Sequence, residues 1–162
     1  MTLYLIDANV LIRAHADYYP IDRVVPFWHW LLSQAEVGAI KTPIEIYNEV
    51  AKSSDLLGEW LRLPNVKKAI LLAEPTDSTT VNTVIQHGYA LDLNDVELLS
   101  LTRDPFLVAA AMKGSNRVVV TREASKPKKL RHNRRIPDVC DTLGVPWIND
   151  FELWRRLDFR IP

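Results

Sequence analysis

The chain has 162 residues, 48% of them hydrophobic and 25% charged, which is the composition of a globular domain with a buried core. Lys plus Arg and Asp plus Glu number 20 each, so the net charge alone does not indicate a polyanionic partner. No apolar run approaches the roughly 20 residues that cross a bilayer, and the N-terminus lacks the pattern of a signal peptide. We therefore expect one domain over residues 1–162, located in the cytoplasm and without a membrane partner.

The only cysteine, Cys140, excludes an internal disulfide, which agrees with a reducing compartment. It lies in the apolar-patterned segment IPDVCDTLG. We interpret it as a small buried hydrophobe, and the alternative is a catalytic thiol.

The predicted elements alternate between strands and helices along the chain. In chain order they are a strand at 3–6, helices at 8–17 and 25–38, an extended pair at 40–41, helices at 42–53 and 55–63, a short strand at 69–73, helices at 77–90 and 104–115, a strand at 117–121, a helix at 137–144, a strand at 145–148 and a helix at 149–157. This alternation predicts an α/β domain with a central, mainly parallel sheet flanked by helices. In such sheets ligands bind beyond the carboxyl ends of the strands, so the residues after each strand are the candidates for chemistry.

Two aspartates precede predicted helices, Asp7 after LYLI and Asp104 before PFLVAAA. Each has a local explanation, because Asp is a favoured N-cap and Pro105 is a favoured first helical residue. A cap uses one carboxylate oxygen and leaves the other free for a second role. Asn9 has a similar local explanation as a turn residue.

Two glutamates, Glu45 and Glu49, lie one turn apart on one face of the helix predicted at 42–53. Glu45 is accounted for by a predicted capping box with Thr42. Glu49 has no such local task, and its ordinary interpretation is a surface acid.

Two further acids flank a basic segment, Glu123 after the strand RVVVT and Asp138 in IPDVC. Their ordinary interpretations are a loop salt bridge and a helix cap. Several carboxylates that converge at one sheet edge repel one another unless a divalent cation neutralises them. Oxygen ligands suit Mg²⁺ or Mn²⁺ rather than zinc, and such a cation can activate water against a phosphodiester.

The segment 126–135, KPKKLRHNRR, contains six cationic side chains and no acid. One interpretation is a solvated, mobile loop. The other is a strip that binds RNA phosphates and releases counterions. The candidate RNA-binding residues are Lys126, Lys128, Lys129, Arg131, Arg134 and Arg135.

The helix at 25–38 carries Trp28 and Trp30 only two positions apart, so one helical face does not easily bury both. We predict that one of them packs at a protein interface. The alternative is that another helix or the C-terminal segment of the same chain covers it.

Four motifs together resemble those of PIN-domain ribonucleases. In chain order they are YLIDANVLI, PIEIYNEV, DPFLVAAA and RVVVTREA, and the resemblance extends over essentially residues 1–157. The segments YYP, FWHWL and IPDVC are similar to a VapC-like subgroup of these proteins. The resemblance implies a toxin that cuts RNA, held inactive by a cognate antitoxin and commonly a homodimer.

The resemblance also implies a set of site residues. The metal-binding and catalytic acids would be Asp7, Glu49, Asp104 and Glu123, with Asn9 and Thr121 in supporting positions. The family usually has Asp where this chain has Glu123, so we expect that Asp138 supplies the missing short carboxylate, directly or through water. The implied cofactor is Mg²⁺ or Mn²⁺.

Two alternatives remain at the level of sequence. A haloacid-dehalogenase phosphatase also begins with a strand that ends in Asp, but it needs an acid where this chain has Asn9, and an amide cannot transfer the proton. A catalytically inactive PIN-like RNA-binding or scaffolding protein is the stronger alternative. The departure at Glu123 and the neutral net charge favour it, whereas four acids retained in register favour the enzyme.

Overall fold

The computed structural model describes residues 1–162. The strands are β1 (Leu3–Ile6), β2 (Ile40–Lys41), β3 (Arg117–Val120) and β4 (Trp147–Ile148). The helices are α1 (Ala8–Arg13), α2 (Val25–Glu36), α3 (Ile44–Ala51), α4 (Leu56–Arg62), α5 (Pro64–Ile70), α6 (Ser78–Thr83), α7 (Asp95–Ser100), α8 (Asp104–Met112), α9 (Ile136–Leu143) and α10 (Asp150–Arg156). Two π-helical turns, Ala14–Tyr18 and Val84–Tyr89, continue α1 and α6, and Arg131–Asn133 is a short 3-10 helix. None of these helices combines the length and the apolar character needed to span a membrane.

The four strands form one sheet in the order β2-β1-β3-β4, and every neighbouring pair is parallel. This confirms the α/β prediction with a parallel sheet flanked by helices. In the central pair Ile6 lies opposite Val120, so β1 and β3 end side by side. The carboxyl ends of all four strands therefore meet at one edge of the sheet.

The core is one cluster of 38 buried hydrophobic residues that includes most of β1 and β3. Leu5 and Ile6 of β1 and Val119 and Val120 of β3 are completely buried. Continuous apolar runs of this kind are typical of strands that are covered on both faces. Because β1 and β3 are held in the core in this way, the end of each strand has a fixed position in the sheet. The position of the residue that follows each strand is therefore fixed as well.

Both tryptophans of α2 pack against other parts of the same chain, Trp28 buried and Trp30 half-buried. Trp28 is 2% exposed, donates its indole N–H to the Tyr19 carbonyl oxygen over 2.6 Å and packs edge-on against Trp60. Trp30 packs against Trp154 and Phe159 of the C-terminal segment. This packing agrees with the alternative, that another helix and the C-terminal segment cover the tryptophans, and an interface at the exposed part of Trp30 stays a prediction.

Two elements differ from the predictions. Residues 69–73 do not form a strand, because Ala69 and Ile70 close helix α5 and only Leu71 forms a parallel bridge, with Thr42. Helix α7 was not predicted at all. It has no buried residue, and the local signal that could have revealed it is the capping box formed by Asn94 and Glu97.

Two predicted caps are also wrong, and both errors affect the candidate site. Thr42 does not form a capping box with Glu45; its hydroxyl donates to the Ile6 carbonyl oxygen over 3.1 Å, and Glu45 accepts from the Thr76 hydroxyl. Asp104 is the first residue of α8 rather than its N-cap, and its carboxylate makes no capping hydrogen bond. The Asp104 carboxylate is therefore free of the local role that the sequence assigned to it.

Candidate metal centre

Asp7 and Thr121 occupy the ends of the two central strands. The Asp7 amide donates to the Val120 carbonyl oxygen over 2.9 Å, which extends the sheet by one residue beyond β1. One Asp7 carboxylate oxygen caps α1 by accepting from the Ala8 amide at 2.7 Å, as predicted. The other accepts from the Thr121 hydroxyl at 3.0 Å. The Asp7 side chain is therefore held through both of its carboxylate oxygens, and each oxygen keeps lone pairs that can accept a further bond.

The chain that leaves β3 is fixed by two short hydrogen bonds. The Arg122 amide donates to the Asn9 side-chain oxygen over 3.1 Å, and the Glu123 amide donates to the Thr121 hydroxyl oxygen, also over 3.1 Å. Asn9 thus joins α1 to the segment that leaves β3. The Thr121 hydroxyl connects Glu123 with Asp7 through a single oxygen atom.

The carboxylates of Glu49 on α3 and Asp104 on α8 make no hydrogen bond within the chain. Glu49 is exposed, and Asp104 is half-buried. The helices that carry them contact each other, α3 also contacts α1, and α8 contacts both central strands. Packing between these helices therefore carries two unpaired carboxylates towards Asp7.

Burial and neighbouring negative charges act together on these acids. Burial, with the charges of Glu123 and Glu49, raises the pKa of Asp7 from 3.8 to about 7 against the hydrogen bonds from Thr121 and Ala8. Burial together with the charges of Asp7, Glu123 and Glu49 likewise raises the pKa of Asp104 to about 8. Without a cation, the cluster therefore holds protons at neutral pH in place of part of its negative charge.

We call Asp7, Glu49, Asp104 and Glu123 the acidic cluster. Its donor chemistry fits Mg²⁺ or Mn²⁺, since it consists of carboxylate oxygens, and a cation can displace the protons that Asp7 and Asp104 retain at neutral pH. In the geometry of the structure, however, no three His, Cys, Asp or Glu side chains are arranged to hold a metal ion. Cation binding therefore requires side chains to rotate. The carboxylates of Glu49 and Asp104 are free to do so because they make no hydrogen bond.

The remaining two candidate acids carry structural hydrogen bonds. One oxygen of Glu123 accepts from the Ile136 amide at 2.7 Å, at the start of α9. Asp138 accepts from the Ser125 hydroxyl at 2.5 Å and from the Lys126 amide at 2.8 Å. The charges that raise the pKa values of Asp7 and Asp104 come from the acidic cluster, not from Asp138. Asp138 thus holds the start of the basic segment rather than the centre of the cluster.

The basic segment is tied to the protein body by Arg131. Its guanidinium donates to Glu97 and to Asp92, with N–O distances of 2.9 and 2.8 Å, and it holds the pKa of Glu97 down at about 2. His132 contacts the same Glu97 carboxylate at 2.9 Å. Arg131 also has φ of +55°, a left-handed conformation that a non-glycine residue keeps only when its surroundings hold it there. Arg131 is therefore an anchor of the segment and not a free phosphate ligand.

The other cations of the segment divide into two groups. Arg134 donates to the Gly88 and Asp138 carbonyl oxygens and to the Thr142 hydroxyl, so it too is a structural residue. Arg135 is half-buried, and its charge lowers the pKa of Asp104, which places it beside the acidic cluster. The exposed cations without a salt bridge are the three lysines Lys126, Lys128 and Lys129.

Arg131→Ala should loosen the segment without unfolding the protein. Loss of the contacts to Glu97 and Asp92 removes what holds its left-handed backbone, and we expect tryptic cleavage after Lys128 and Lys129 to accelerate by at least about threefold. Arg160→Ala, which removes only a local exposed pair with Asp158, is the control. Equal cleavage rates in the wild type and Arg131→Ala would contradict the anchoring role.

Tyr89 lies near the cluster and was not identified from the sequence, whereas Arg135 was identified with a different role. Tyr89, at the end of the π-helical turn, is buried, and the charges of Asp104, Glu123 and Asp7 act on its hydroxyl. Arg135 had been grouped with the RNA-binding cations. A buried aromatic residue at a helix end carries no local signal of function, so only the tertiary contacts reveal Tyr89. Cys140 is completely buried, and burial raises the pKa of its thiol to about 12, which fits packing and not catalysis.

The fold and the acidic cluster define a class of protein: an α/β domain with coupled carboxylates at the carboxyl edge of a parallel sheet. The chain belongs to the family described as Domain of unknown function (DUF4411), whose model matches residues 4–161. No curated protein matches the chain significantly.

Proposed function

We propose that the chain is a divalent-metal-dependent endoribonuclease of the PIN-domain type, a hydrolase of RNA phosphodiester bonds. The observation that carries the proposal is the acidic cluster, in which two carboxyl groups are pushed to pKa values of about 7 and about 8. Burial, together with the charges of neighbouring acids, raises both values, and carboxylates held in this way destabilise the protein unless a ligand of opposite charge binds them. The order of the motifs along the chain supports the PIN-type assignment.

In this assignment Mg²⁺ or Mn²⁺ is held by Asp7, Glu49 and Asp104, with Glu123 assisting from its place at the start of α9. When bound, the cation activates water and stabilises the leaving oxygen of the phosphodiester. Thr121 keeps the Asp7 carboxylate oriented by its hydrogen bond. The Arg135 guanidinium, beside Asp104, offsets part of the repulsion that an incoming phosphate meets.

The experiment that tests the proposal is incubation of single-stranded RNA with the purified protein and Mn²⁺ or Mg²⁺. Cleavage that stops on addition of EDTA and returns with excess cation supports it. The absence of cleavage with either cation, over several RNA sequences and pH values, would contradict it.

The exposed lysines of the basic segment are the candidates for binding the RNA backbone. Substituting Lys126, Lys128 and Lys129 together with Ala should weaken RNA binding and reduce the slope of log affinity against log salt by about 2, because about three counterion releases are lost. Binding measured by fluorescence anisotropy at several salt concentrations checks this. The control removes three exposed cations elsewhere, Arg23, Lys68 and Arg160, and so changes the net charge equally. Equal slopes in both triple variants would refute a specific role.

The second candidate function is a PIN-like RNA-binding or scaffolding protein without activity. The arrangement of the acids favours it to some degree, since no three of them are in place for a metal ion and Glu123 is engaged at α9. It predicts that the protein binds RNA without cleaving it in the experiment above. The salt dependence of RNA binding should then be the same with and without Mn²⁺. The phosphatase alternative gains nothing, because the side chain of Asn9 is bound to the Arg122 amide.

The partners follow from the same proposal. As a toxin of the VapC-like type, the protein would act in the cytoplasm, form a homodimer and be inhibited by a cognate antitoxin. Light scattering at several protein concentrations tests the dimer: the expected mass is twice 18.6 kDa, and a mass of one chain throughout would contradict it.

A further inference from the structure

Tyr89 has a buried hydroxyl that finds no hydrogen-bond partner in the protein. The residue is only 7% exposed, and its hydroxyl oxygen is shielded from solvent. A buried donor without a partner is costly and rare in native proteins. Such a group therefore indicates a ligand that supplies the partner.

The backbone next to Tyr89 is held in place, which fixes the point from which the ring extends. The preceding Gly88 lies directly against α9, where a Cβ atom would come within 2.7 Å of the Val139 side chain. Arg134 donates to the Gly88 carbonyl oxygen, which holds the same turn from the basic segment. The turn is π-helical, a rare geometry that occurs frequently at functional sites.

The turn that carries Tyr89 packs against α8, which begins with Asp104, and against α9, whose first amide is bound by Glu123, so the surroundings of the hydroxyl are acidic. A tyrosine hydroxyl carries its proton at neutral pH, and burial followed by the charges of Asp104, Glu123, Cys140 and Asp7 raises its pKa further. The acidic cluster offers only acceptors for cation binding, and the Thr121 hydroxyl already donates to Asp7. Tyr89 is therefore an uncommitted neutral donor among the acids.

We propose that Tyr89 is a further catalytic residue, whose hydroxyl donates a hydrogen bond to a non-bridging phosphate oxygen of the RNA bound at the acidic cluster. This inference rests on the proposed ribonuclease function. A phosphate oxygen is an acceptor that carboxylates repel, so it needs donors in the wall of the site. The hydroxyl is neutral and donates without competing with the carboxylates for the cation.

Tyr89→Phe tests the inference, because it removes one oxygen and keeps the packed ring. We expect kcat for RNA cleavage with Mn²⁺ to fall by about 100-fold, as for the loss of one buried donor to a reacting oxyanion. The Kd for Mn²⁺, from calorimetry without RNA, should stay unchanged. The thermal unfolding midpoint without cation or RNA should stay the same or rise, since the variant loses an unpaired buried group.

The matched control is Tyr47→Phe. Tyr47 is also buried, but its hydroxyl donates to the Leu61 carbonyl oxygen over 2.6 Å. This variant should unfold at a lower temperature and keep the wild-type kcat. The two variants are therefore expected to show opposite patterns of stability and activity.

Two results would overturn the inference while the ribonuclease function stands. The first is an unchanged kcat in Tyr89→Phe; if the unfolding midpoint also falls, the hydroxyl is paired inside the protein. The second is a loss of Mn²⁺ affinity that accounts for the loss of kcat. A wild-type protein that binds Mn²⁺ and cleaves no RNA overturns the proposed function, and the inference with it.

Discussion

Asp104→Asn and Asp7→Asn are each expected to lower RNA cleavage with Mn²⁺ by at least about 1,000-fold, the size of effect seen when a catalytic group is removed outright. Each substitution replaces a carboxylate of the acidic cluster by an amide that binds a divalent cation poorly. Asn keeps the capping bond from the Ala8 amide, so the fold around position 7 should survive. RNA binding, which depends on the lysines of the basic segment, should change by less than about threefold.

The matched control is Asp55→Asn. Asp55 caps α4 through the Gly58 amide, as Asp7 caps α1, but it lies outside the acidic cluster. Because Asn is an equally good N-cap, this variant should retain wild-type cleavage and stability. If Asp104→Asn cleaves RNA at the wild-type rate, the cluster is not the site of the reaction.

Without a divalent cation, the free energy of unfolding is expected to fall as the pH rises from about 6 to about 8, above the range in which the other carboxylates titrate. The pKa values of Asp7 and Asp104 rise from the ordinary aspartate value of 3.8 to about 7 and about 8 in the folded protein. Between these limits the folded state binds more protons than the unfolded state, so its advantage is complete below pH 4 and is lost as the pH rises through the folded pKa values. Urea unfolding at a series of pH values with EDTA measures the slope.

The same physics predicts the behaviour of Asp7→Asn and of the cation. At about pH 8 Asp7→Asn should be more stable than the wild type by about 1–3 kcal/mol, since it relieves the repulsion permanently. Millimolar Mn²⁺ should stabilise the wild type at that pH and leave Asp7→Asn nearly unchanged. A wild-type stability that rises with pH over this range, in EDTA, would show that the carboxylates are not held together as described.

The parts of the fold that the sequence predicts are those with a strong local pattern. β1 and β3 are continuous apolar runs, α2 has apolar pairs at i,i+4 spacing, and α8 is apolar after Pro105 at its start, so the local pattern identifies them. Helix α7 buries none of its side chains, and its only local signal is the capping box of Asn94 and Glu97. Ala69 and Ile70 resemble a strand, yet they are buried as the end of α5, since a short apolar run does not distinguish the two structures.

The candidate site shows the same division between local and tertiary information. The end of β1 predicts the position of Asp7, because the strand-end rule for parallel sheets applies to it directly. For Asp104 the local cap signal predicts the wrong role, and only the packing of α8 shows that its carboxylate is free. Likewise, Arg131 and Glu97 are 34 positions apart, so the sequence cannot distinguish an anchoring arginine from an RNA-binding one.

Calorimetric titration of the wild type with Mn²⁺ at about pH 7, in buffers of different ionisation enthalpy, tests the shared cation site most directly. The acidic cluster predicts binding accompanied by release of about one proton, because the cation displaces the protons that Asp7 and Asp104 retain at that pH. The same titration of Asp104→Asn should show weaker binding and less proton release. Mn²⁺ that does not bind at millimolar concentration, or binds without releasing protons, would contradict the account.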